Sequence, residues 1–147
     1  MLLTSPNFSH NKEIPSHYTC DGKNISPALQ WENVPNNTKS FALIVDDPDA
    51  PHTTFVHWVV FNIPAEMRAL PEGVKKGNFA QGITDFSTPQ YGGPCPPSGT
   101  HRYFFTLYAL DTQLDLAQGA TKEQLLDAIK GHVLGKAELI GLYQRKK

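Results

Sequence analysis

The sequence predicts a mainly β protein: an antiparallel β-sandwich with one or two short helices near the C-terminus. Three observations lead there. Apolar runs of strand length, rich in β-branched and aromatic residues, recur through the first three quarters of the chain. Clusters of Pro, Gly and Asn separate them, and most of the twelve prolines fall between runs, where a residue without an N–H bounds a strand instead of breaking it. Helical spacing is convincing in one late segment only.

The elements follow in order. LLTS near the start and ALQW before the NVPNNT turn are short strand candidates. SFALIVDD (Ser40 to Asp47), FVHWVVFNI (Phe55 to Ile63) and HRYFFTLYAL (His101 to Leu110) are the long ones. Thr121 followed by Gln124 matches a capping box. Behind it Leu125, Leu126, Ile129 and Val133 form an apolar helical stripe, which Gly131 or Gly135 can end. ELIGLY (Glu138 to Tyr143) reads as a final strand. No repeat, low-complexity tract or linker divides the chain, so residues 1–147 are expected to form one domain.

Composition excludes several function classes. A net charge of −1 provides no basic field for nucleic acid or an anionic membrane. The basic Gln-Arg-Lys-Lys terminus reads as a solvated tail. No apolar run approaches the roughly 20 residues of a membrane-spanning helix, and MLLTSPNFSHNK lacks the pattern of a signal peptide. A cytoplasmic protein is therefore expected. In a reducing compartment Cys20 and Cys95, far apart and without Cys-x-x-Cys spacing, should both be free thiols.

Candidate chemistry gathers at strand ends. Period-two alternation groups Phe55, His57, Val59, Phe61 and Ile63 on one face, and His101, Tyr103, Phe105 and Leu107 on another. Both histidines thus begin strands on otherwise apolar faces, where either could simply be a buried side chain satisfied by hydrogen bonds. If the Ser40 and Phe55 strands run antiparallel, Asp47 and His57 emerge at the same sheet edge. In DDPDAP, Pro48 and Pro51 restrict the backbone around Asp46, Asp47 and Asp49. With His52 and His57 these carboxylates could be imagined around a metal, but the spacing matches no metal motif. There is no G-x-S-x-G elbow and no P-loop. In YGGPCPPSGTHRY the prolines leave few N–H groups, which glycines can bring close to a ligand. Oriented amides of this kind suit an anion, and the long connection from Asp85 to Thr100 reads as one wall of a small pocket.

YTCDGKNISPALQW, SFALIVDDPDAP, FVHWVVFNIP, YGGPCPPSGTHRYFFTLYALD and AELIGLYQR together resemble the phosphatidylethanolamine-binding protein family, in particular its short bacterial Raf-kinase-inhibitor-like branch. DPDAP combined with a later G-x-HRY is the specific part of the match. The resemblance implies a Greek-key β-sandwich with an anion pocket at one end. It assigns that pocket to Asp47, His57, His101 and Tyr103, with the Cys95 backbone N–H facing a phosphate-like group and Pro96 and Pro97 forming a wall. Asp49, Arg102 and Trp58 would support the loop and sheet.

The resemblance further implies binding of a small anionic or phosphorylated ligand, such as a phosphate ester or lipid headgroup, with no catalytic residue, no metal and no cofactor. It also implies regulation or inhibition of an unidentified partner enzyme, and a homodimer. Inhibition of a Raf-type kinase is not carried over, because the longer C-terminal helix of eukaryotic members is lacking. Two alternatives stand beside this reading. One is a hydrolase using Asp47 and His57 as base and acid. The other is a protein–protein inhibitor whose pocket only modulates shape.

Overall fold

A computed structural model describes residues 1–145. Two sheets face each other across the core. The smaller comprises β1 (Leu2–Thr4), β3 (Leu29–Glu32) and β6 (Ala69–Leu70), in the order β1-β3-β6. The larger contains β2 (Lys12–Glu13), β4 (Ser40–Asp47), β5 (Phe55–Pro64), β7 (Ala80–Gln81), β8 (His101–Leu110) and β9 (Val133–Tyr143), in the order β2-β9-β8-β4-β5-β7. A long connection after β5 returns β8 to lie beside β4, the step that distinguishes a Greek key from a meander. The pairings are antiparallel except at one edge, where β2 runs parallel to β9.

Burial explains why β4 reads as an almost unbroken apolar run. Phe41, Leu43 and Val45 face inward, with Phe105, Leu107 and Leu139 of the neighbouring strands, against Leu3, Leu29, Trp31 and Leu70 of the small sheet. Ala42 and Ile44 face outward with Val59 and Phe61, and there Leu125 and Ile129 of α1 (Lys122–Ile129) cover them. Both faces are dry, so alternation disappears.

Helix α1 begins where the sequence places it. The Thr121 side chain accepts from the Gln124 N–H, and the Gln124 side chain accepts from the Thr121 N–H. It ends earlier than the apolar stripe suggests. Val133 is exposed and opens β9, which is correspondingly longer than the expected Glu138–Tyr143 strand. A left-handed Gly131 makes the break possible: at φ +80° a side chain would be strained.

The expected alternation along β5 also fails, for a reason that matters to function. Val45 pairs with Trp58 but Asp46 pairs with Val56, so His57 is an extra residue in the strand. A second extra residue lies between Val60 and Ile63, where Asn62 takes φ +54°. Each bulge reverses the parity of the side chains. Val59 and Phe61 therefore face α1, whereas Trp58, Val60 and Ile63 enter the core between the sheets. Asn62 holds its bend by bonding both backbone polar groups of Leu114, donating to the carbonyl at 2.9 Å and accepting from the N–H at 2.7 Å.

Candidate functional site

At one end of the large sheet, a cavity of about 370 Å³ is lined by the ends of β4, β5 and β8 and by two loops. All seven residues singled out in the sequence line it: Asp47, His57, Cys95, Pro96, Pro97, His101 and Tyr103. Sheet order explains the convergence. β4 lies between β5 and β8, so the last residue of β4 sits between the first residues of its neighbours. Asp47 pairs with Phe55 across β5, and the bulge re-aims His57 toward the same end, with its ring 5.2 Å from that of Tyr103.

The polar groups are buried and mutually fixed. Asp47, His57, His101 and Tyr103 have 3%, 4%, 7% and 1% of their surface exposed, so their contacts are scarcely screened by water. His101 Nδ1 donates to Asp47 Oδ2 at 2.6 Å. The other carboxylate oxygen, Oδ1, accepts from the Asp49 N–H at 2.7 Å, which ties the carboxylate to its own turn. His57 Nδ1 lies 2.6 Å from the Gly92 carbonyl. A carbonyl only accepts, so Nδ1 carries the hydrogen and Nε2 is the ring nitrogen left for a ligand. Burial lowers the His57 pKa below the usual imidazole value, against the opposing pull of the Gly92 carbonyl and the Asp47 carboxylate. Burial, then the Asp47 charge, pushes the Tyr103 phenol far up, so it stays protonated and able to donate.

The acidic cluster does not converge on one point. Asp46 faces the helix side, where Lys122 Nζ reaches it at 2.7 Å. Asp49 accepts from the Arg102 side chain twice and from the Arg102 N–H once, each at 2.9 Å. The Arg102 hydrogen bonds bring the Asp49 carboxyl down to about 2 despite partial desolvation. Among the described residues, no group of three or more His, Cys, Asp or Glu side chains is placed to hold a metal ion.

The cysteines overturn the free-thiol expectation. Cys20 and Cys95 form a disulfide with their Cα atoms 5.4 Å apart, within the usual range for such a bond. Their separation of 75 residues carries no spacing signal. Tertiary contacts bring them together, as the segment around Cys20 is the platform for the pocket loop. The Cys20 N–H donates to the Pro94 carbonyl at 3.1 Å. Asn24 Oδ1 accepts from the Gly93 N–H at 2.7 Å, and the Tyr91 hydroxyl donates to the Tyr18 carbonyl at 2.8 Å. Gly93 sits so close that an added Cβ would lie 2.3 Å from the Tyr18 oxygen. The cytoplasmic expectation had supported free thiols, and the paired cysteines remove that link.

Sequence reasoning did not assign Ala50, Pro51, Phe55 and Phe86 to the lining, nor Asn24 to its support. Phe86 forms an aromatic wall, its ring 4.8 Å from Phe55 and 5.4 Å from His57. It belongs to the long connection already suspected of lining a pocket, where it is the one aromatic residue between Gly82 and Gln90. Asn24 supports the pocket loop from a distant segment, and nothing local marks it.

The site can therefore offer a phenol O–H and two imidazole Nε2 atoms at a polar base beneath an apolar mouth of Ala50, Pro51, Phe55, Phe86 and Pro97. The phosphatidylethanolamine-binding protein family model matches residues 4–144. A UPF0098 protein of Methanothermobacter thermautotrophicus is 56% identical over 99% of both chains. A second, from Aquifex aeolicus, is 49% identical over 99% of this chain and 89% of its own. Among solved structures, a putative phosphatidylethanolamine-binding protein homologue of Chlamydia trachomatis superposes with a TM-score of 0.95 at 42% identity, covering 99% of this chain and 97% of that one. E. coli YbcL, described as a member of the mammalian family, gives 0.92 at 32% identity over 99% and 98%. With its sequence matched almost end to end and its sandwich shared with solved members, the chain belongs to the phosphatidylethanolamine-binding protein family.

Proposed function

We propose that the protein is a non-enzymatic binding module for a small anion of the phosphate-ester or lipid-headgroup type, held by Asp47, His57, Cys95, Pro96, Pro97, His101 and Tyr103. The supporting observation is a polar base facing the cavity with hydrogen-bonding groups to spare. No described residue pairs with the Tyr103 hydroxyl, and none accepts from the Cys95 N–H. His57 and His101 have each committed only Nδ1. These groups line the cavity, where a ligand would take the place of the water they otherwise meet. An anion with an apolar substituent meets both needs, placing its charge at the base and its substituent against Phe55 and Phe86.

The test is calorimetric titration with phenyl phosphate, alongside native mass spectrometry of the purified protein for a retained ligand. Saturable binding that Tyr103→Phe and His101→Gln weaken while the fold persists supports the proposal. No binding at millimolar concentration overturns it.

A hydrolase is the second reading, with His101 in place of the expected His57 as partner of Asp47: His57 Nδ1 is tied to the Gly92 carbonyl, whereas the Asp47–His101 pair has the geometry of an oriented general base. Cys95 cannot serve it as a thiolate nucleophile while joined to Cys20. Turnover across a phosphatase and esterase panel, abolished by His101→Gln, would replace binding with catalysis. The proposal also places the protein in the cytoplasm as a homodimer that regulates a partner enzyme through its loaded pocket. Light scattering giving a mass near that of one 16.3 kDa chain would reject the dimer. Pull-downs with pocket variants would separate pocket-dependent regulation from simple protein–protein inhibition.

A further inference from the structure

The wall of the pocket has an unusual attachment. Up to Pro94 the loop is held by hydrogen bonds. Gly92 exchanges two with His57, using its backbone N–H and carbonyl, Gly93 donates to Asn24, and Pro94 accepts from Cys20. From Cys95 to Thr100 no backbone group bonds to any described residue, until β8 begins its ladder at His101. Pro96 and Pro97 have no N–H to offer. The side-chain contact of Thr100 with Gln144 is long, at 3.5 Å. What fastens the start of this segment is the bond from Cys95 to Cys20. Cys95 is exposed and Cys20 half-buried, so a thiol in solution has access to the pair.

We infer that the Cys20–Cys95 disulfide is a redox-operated clasp on the Pro96–Pro97 wall, with the closed bond shaping the pocket for its anion and the open bond releasing the wall. This rests on the anion-binding reading above and adds its regulation. The reaction is ordinary exchange. A thiolate attacks one sulfur, the Cys20–Cys95 bond breaks, and a mixed disulfide forms. A second thiol resolves it, leaving two protein thiols and one oxidised small-molecule disulfide. A monothiol such as glutathione, or a dithiol, supplies the two electrons.

Two features make the step reversible and local. Hydrogen bonds from the Cys20, Asn24 and Tyr18 segment hold the loop up to Pro94 in place when the sulfurs separate. The polar base loses nothing directly, because Asp47, His57 and His101 are held by their own partners. The wall alone gains freedom. A ligand must then order it on binding, at the usual entropic cost of fixing a loop.

The experiment compares the intact protein in oxidised and dithiothreitol-reduced forms by 15N relaxation and by calorimetry with phenyl sulfate. Backbone order parameters at Ser98 and Gly99 should fall on reduction, toward the flexible range below about 0.6, while β4 and β8 stay unchanged. Affinity for phenyl sulfate should drop about tenfold, a loss of the size expected when one short loop must be ordered by the ligand. Reoxidation should restore both. Unchanged order parameters would overturn the clasp. Increased mobility with unchanged affinity would overturn the gating. Collapse of the dispersed spectrum on reduction would also overturn the proposal, since the bond would then be holding the whole fold. If the oxidised protein binds no phenyl sulfate, the anion reading and the gating fall together, while the relaxation data still decide the clasp.

Discussion

Raising the pH should weaken anion binding through His57, and proton linkage sets the steepest slope it can have. In the empty pocket burial holds the His57 pKa below the usual value, so above about pH 6.5 the ring is mostly neutral. Its Nδ1 hydrogen is committed to the Gly92 carbonyl, so a neutral ring offers an anion only the lone pair on Nε2. Binding must bring a proton to Nε2, which means that the bound anion raises the His57 pKa.

Where pH exceeds the free pKa and lies below the bound one, each complex takes up one proton, and affinity falls tenfold per pH unit. From about pH 6.5 to about pH 8 that amounts to roughly 30-fold, or about 2 kcal/mol. The Tyr103 phenol stays protonated throughout. Asp47, Asp46 and Asp85 all pull the His57 pKa upward, so the opposing effect of burial sets the lower edge of the window. Phenyl sulfate is the suitable probe, since its charge is constant, whereas a phosphate monoester loses a proton near pH 6. Titration in two buffers of different ionisation enthalpy counts the protons directly. A flat affinity profile, or a slope that survives His57→Gln, would refute the reasoning.

Opening the disulfide should lower global stability. Closing a loop of 75 residues is worth about 4–5 kcal/mol by chain entropy, so the reduced protein should melt roughly 12–16 °C lower by calorimetry; a shift under about 3 °C would contradict this. Gly93→Ala drives a Cβ onto the Tyr18 backbone, and should cost about 1–3 kcal/mol in urea unfolding while also disturbing the pocket loop, visible as shifts of the His57 ring resonances. Removing the cap of α1 with Thr121→Ala should cost about 1 kcal/mol, near 3 °C in Tm, and leave anion binding unchanged because the helix covers the opposite face of the sheet. Phe61→Ala empties a fully buried position beneath that helix, and an unfolding loss of about 3–5 kcal/mol is expected, with less than 1 kcal/mol counting against the packing described.

Local patterns were enough for much of this protein. Strand length, turn residues and composition determined the β-rich class, the capping box determined the start of α1, and family motifs named seven of the eleven residues that line the pocket. These are properties of adjacent residues and of their chemistry. What the tertiary structure alone decided are the relations between distant segments. β5 shows this most directly: alternation is a rule for regular strands, and the extra residues at His57 and near Asn62 exist only relative to the register of β4. The parallel pairing of β2 with β9 and the early end of α1 depend likewise on partners far along the chain. So does the pairing of Cys20 with Cys95, which no spacing announces, because docking of the Tyr18–Asn24 segment under the pocket loop is what brings the sulfurs together.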